Sequence, residues 1–103
     1  MIQSVIVKAV LSYHSNNEMD FNRPMWQTLR FSLWKNNSDF TAAEIIQIHE
    51  GNEILPGQTK TVTLKVLNTK LARDLKIDET VYIGVPHTKI GECKLLEVTI
   101  PIK

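Results

Sequence analysis

Residues able to do acid–base, metal or nucleophilic chemistry are few and scattered in this chain of 103 residues. Its three histidines, His14, His49 and His87, and its single cysteine, Cys93, include no pair at the short spacing of a zinc site. A fold could bring two of them together, but the plainer reading puts the histidines at the surface or at loop ends. Cys93 falls in an apolar, strand-like run, where a free cysteine serves as a small buried hydrophobe, and no neighbouring base marks it as a nucleophile. Glu50 and Glu53 flank a turn, and Asp78 and Glu79 are adjacent, so that in a strand they would point to opposite faces; solvated turns account for both pairs. The chain has no Gly-x-x-x-x-Gly-Lys-Ser/Thr loop to cradle a nucleotide's phosphates. The sequence therefore predicts no catalytic residue, metal ligand or cofactor-binding residue.

Contact chemistry is better represented. Tyr13, Phe21, Met25, Trp26 and Trp34 surround a polar loop over 14–24, with Arg23 and Arg30 close by, and tryptophan with arginine is the composition enriched at binding hot spots. These seven residues form the predicted partner-binding site. The competing reading folds Met25 and Trp26 back to cap one end of a barrel. On the period of its strand Trp34 lies opposite Leu29, Phe31 and Leu33, which predicts a large aromatic on the outside and a contact surface there. Charge is unevenly spread: Gln58 to Lys103 holds eight basic and five acidic residues, against four and five from Met1 to Gly51. Lys60, Lys65, Lys70, Arg73, Lys76, Lys89 and Lys94 are candidates for a basic face. Lys60 and Lys65 cannot share one side of a regular strand, however, and scattered solubilising lysines are the plainer reading.

Elements must position these groups, and composition bounds them. The length suits one domain over 1–103. With 43% hydrophobic and 22% charged residues the chain is apolar enough to fold around a core. A net charge of +1 gives no overall electrostatic case for nucleic acid or a membrane surface. No apolar run approaches the ~20 residues that cross a bilayer, and Met1 to Ser4 lacks a signal-peptide pattern, so the expected compartment is a reducing cytoplasm.

Of the 103 residues, 28 are Val, Ile or Thr, whose branching at Cβ suits a pleated sheet. Val5, Val7, Ala9, Leu11 and Tyr13 alternate with polar residues and predict a half-buried strand. A second strand is predicted over Gln27 to Trp34, followed by a turn at Lys35 to Asp39. A third runs from Phe40 to Ile48, where the adjacent pairs Ala42-Ala43 and Ile45-Ile46 leave a short helix as the alternative. After the Pro56-Gly57 turn, Gln58 to Leu67 alternates most cleanly, with Val62, Leu64 and Val66 inward. Thr69 to Ile77 alone has helical spacing, in Leu71 and Leu75, over one or two turns. Val81, Ile83 and Val85 form the inner face of a fifth strand, and Leu96, Val98 and Ile100 that of a sixth over Ile90 to Ile100. Six such strands predict an all-β antiparallel barrel or sandwich.

Three segments narrow that choice. Pro24-Met25-Trp26-Gln27-Thr28-Leu29-Arg30, continued by Asp39-Phe40-Thr41, resembles a strand-loop-strand unit of the C-terminal (third) barrel domain of bacterial elongation factor Tu. That unit has a proline, two aromatics, a Tyr-Arg-Pro tripeptide and an Asp-Val-Thr-Gly turn. Pro24 takes the proline, Met25 and Trp26 the aromatic pair, Arg30 the arginine, and Asp39 and Thr41 the turn. Leu55-Pro56-Gly57 is similar to the family's Met-Pro-Gly-Asp turn, and Thr88-Lys89-Ile90-Gly91 with Leu96-Glu97-Val98 to its Arg-Thr-Val-Gly turn and closing strand. The resemblance implies a six-stranded antiparallel Greek-key barrel.

In that family this face lies against the acceptor and T stems of aminoacyl-tRNA. Here Phe31 and Leu29 replace the proline and tyrosine of Tyr-Arg-Pro, Asp20 to Arg23 replace a Gly-Gly-Arg lead-in, and Cys93 replaces a glycine. Side chains now fill space that the phosphate backbone would need. The expected function is a non-catalytic binding module for a protein partner, with RNA the weaker choice. An immunity or inhibitor protein neutralising a toxin is the alternative, and a small enzyme the lesser one.

Overall fold

The structure, a computed structural model, describes residues 4–36 and 39–101. Its elements are β1 (Val5–Tyr13), β2 (Met25–Trp26), β3 (Arg30–Trp34), β4 (Thr41–Ile48), β5 (Glu53–Ile54), β6 (Thr59–Val66), α1 (Lys70–Arg73), β7 (Thr80–Val85) and β8 (Thr88–Thr99). Of the predicted turn at Lys35 to Asp39, Asn37 and Ser38 lie outside the described residues.

Six strands close an antiparallel barrel in the order β1-β6-β4-β3-β7-β8, with β8 returning to β1. Strands β3, β4 and β6 are consecutive antiparallel neighbours and β1 lies on the far side of β6, which is Greek-key connectivity. Closure leaves few open strand edges. The pair β2 and β5 forms a small ribbon outside the barrel.

The core follows from alternation. In β1 every odd residue is buried, and Val5, Val7 and Ala9 face Val66, Leu64 and Val62 of β6 across the pairing. Leu33, Ile45, Val81, Ile83, Cys93 and Leu95 complete the interior. Helix α1 buries Leu71 and Ala72, and Ala72 joins this core together with Leu75 just beyond the helix. Thr69 caps it, its hydroxyl accepting from the Ala72 amide at 3.2 Å.

Where pattern and structure differ, a backbone irregularity is the reason. The predicted second strand starts only at Arg30, because Thr28, with φ +79°, turns the chain out of the extended region. The segment predicted over Phe40 to Ile48 is the strand Thr41–Ile48, not a helix; a register shift between Ile45 and Gln47 absorbs Ile46 and accounts for the paired isoleucines. Val85 is exposed rather than inward, since the register of β7 slips between Ile83 and Gly84, whose φ is +151°. The inner face assigned to the last strand is also corrected. The ladder passes from Lys8↔Glu97 to Ala9↔Leu95, skipping Leu96, so Leu96 is turned outward and Cys93 and Leu95 face the core. Val98, beyond the bulge, is half-buried against the core, and Ile100 is exposed.

Candidate functional site: a cleft at the open end of a barrel seam

The barrel is zipped least along β3 and β7, which pair only through Ser32, Leu33 and Trp34. On its other side β3 pairs with β4 from Arg30 to Leu33. Arg30 and Phe31 thus have a strand neighbour on one side only, and beyond Ser32 the two strands part around a cleft of about 360 Å³. Phe21, Leu29, Phe31 and Ile90 line it, with exposed Met19 and Val85 at the rim. Its one charged lining residue is Arg30.

The long loop over 14–24 supplies one wall, and two polar side chains hold it in shape. Asn17, buried despite its polarity, accepts from the amides of Met19 and Phe21 and donates to the carbonyls of His14 and Phe21. Tyr13, at the end of β1, donates its hydroxyl to the carbonyls of Phe21 at 3.0 Å and Arg23 at 2.7 Å, and its ring lies 5.9 Å from that of Phe21. Burial raises the Tyr13 phenol above its ordinary value. Phe21 is therefore anchored through its backbone while its ring reaches the cleft.

A smaller depression of about 230 Å³ adjoins the cleft, sharing Arg30 and Ala42 with it. Arg30, Glu44 and Lys65 stand in register across β3, β4 and β6 on the outer face. Arg30 Nε donates to Glu44 Oε1 at 3.2 Å, and the arginine side chain is 81% exposed.

Of the seven predicted contact residues, the cleft gathers Phe21 and Arg30. Tyr13 acts one step behind Phe21, and Arg23 is exposed but engaged through its carbonyl. Met25 is fully buried and packs in the core, while Trp26, its neighbour on the ribbon, points out and is 45% exposed. The capping reading thus fits Met25 and not Trp26. Trp34 lies on the outward face, beside Tyr82 in the register, but is only 4% exposed. The rings of Phe40 at 5.3 Å and Tyr82 at 6.4 Å cover it, and Phe40 is itself edge-on to His87 at 5.0 Å. The predicted free surface at Trp34 is corrected accordingly. Leu29 and Phe31, which periodicity assigns to the inner face, are half-buried at the cleft because the seam ends at Ser32. Nothing in the sequence marks where that pairing stops.

The reactive side chains stay apart. Cys93 is fully buried, and burial first, then the charge of Glu92, pushes its thiol up, away from thiolate. His14 Nε2 lies 3.4 Å from Glu92 Oε1, and His49 Nε2 lies 2.8 Å from Thr63 Oγ1. Among the described residues no three of His, Cys, Asp and Glu form a group that could hold a metal. Several lysines are already engaged: Lys8 with Glu97, Lys35 with Glu79, Lys60 on the Glu53 carbonyl, and Lys89 over the Tyr82 ring at 4.6 Å. Lys60 sits at the barrel end while Lys65 points outward, as their odd separation requires. No protein-family model matches the chain, and no curated protein matches it either.

Proposed function

We propose that the chain is a non-catalytic binding module, similar to the C-terminal barrel domain of elongation factor Tu, and that it engages a protein partner through the cleft between β3 and β7. One observation carries this reading: an apolar cleft opens at the weakest seam of the barrel, with Phe21, Leu29, Phe31 and Val85 around it and Arg30 at its mouth. Exposed apolar side chains gathered in a concavity beside an arginine are the makings of a contact hot spot. The order of the six strands supports the likeness to the translation-factor domain, which rests on Pro24 to Arg30, Leu55 to Gly57 and Thr88 to Gly91. Protein is preferred to RNA because the cleft offers apolar area and a single cation rather than a track of cations for phosphates.

Site-specific photocross-linking in cells tests it. A photoreactive side chain at Val85 is expected to trap one protein, and the same group at Ile77, exposed but outside the cleft lining, is expected not to. Trapping of RNA at Val85, or of no macromolecule, would overturn the reading.

A further inference from the structure

We draw no further inference here: the strongest candidate, the apolar cleft where β3 and β7 part beyond Ser32, belongs to the site already described, and nothing in the structure shows what covers it.

Discussion

Asn17 closes on the backbone of Phe21 from both sides, its Oδ1 accepting from the Phe21 amide at 2.9 Å and its Nδ2 donating to the Phe21 carbonyl at 2.7 Å. With the bonds to Met19 and His14, one buried carboxamide satisfies four backbone groups of the cleft wall. Asn17→Ala is expected to cost about 2 kcal/mol, the range for stranding buried donors and acceptors. Urea denaturation reads that loss. Amide exchange separates its cause: protection should fall at Met19 and Phe21 while β1 keeps its own, and equal loss everywhere would show that Asn17 does not act locally on the loop.

Gly91 lies within β8 directly opposite Tyr13 of β1, and a Cβ placed there would stand 2.5 Å from the Ser12 carbonyl oxygen. That obstacle is backbone near the end of β1, held between β6 and β8, so no side chain can swing away to relieve it. Gly91→Ala should therefore destabilise by more than about 2 kcal/mol, a large effect for one methyl group and typical of overpacking against fixed atoms. Its thermal midpoint should fall well below that of Lys65→Ala on the exposed face of β6. A midpoint for Gly91→Ala equal to the parent's would contradict the close approach of β8 to β1.

Alkaline pH should weaken the fold in two steps. Burial raises the Cys93 thiol above its ordinary 9.0 and the Tyr13 phenol above its ordinary 10.0. Both groups hold their protons more tightly when folded, so their contribution is complete below those ordinary values. It is lost as pH rises from them toward the folded values, because the unfolded chain gives up its protons first. Cys93→Ala should flatten the decline that begins near pH 9 and Tyr13→Phe the one near pH 10, each read from denaturation midpoints between pH 7 and 11. An unchanged alkaline slope in both variants would show that neither group is withheld from ionisation by the fold.

Alternation made most of the barrel legible. Strand β1 and strand β6 repeat inward and outward residues without interruption, and the residue pattern alone predicts their buried faces. It failed where one residue leaves the ladder. Ile46 and Leu96 fall at register breaks, and the slip after Ile83 turns Val85 outward, so every position beyond each break changes sides in a way that period two cannot register. The site was less legible than the fold for a related reason. The cleft depends on β3 and β7 ceasing to pair at Ser32, a relation between segments distant in sequence, and on a loop shaped by Asn17, whose polarity gives no sign of burial. Phe21 and Arg30 were found through their residue types; Met19 and Val85 needed the register.

The two tryptophans differ in a way that separates surface from structure. Trp34 is 4% exposed beneath Phe40 and Tyr82, whereas Trp26 is 45% exposed on the β2–β5 ribbon. Acrylamide should accordingly quench two populations, and Trp26→Phe should remove the accessible, red-shifted one while leaving stability within about 0.5 kcal/mol. Trp34→Ala should cost about 3–5 kcal/mol, since it empties a packed aromatic site. That cost arises although Trp34 points away from the barrel interior: the aromatic layer of Trp34, Phe40, Tyr82 and His87 acts as a second, external core that braces β3 against β7 at the closed end of their seam. Loosening this brace should also lengthen the opening, so Trp34→Ala is expected to speed amide exchange at Ser32 and Tyr82, which face each other's strand across the seam, more than at Val62 and Leu64. Uniform exchange across the four would show that the seam is held by the inner core alone.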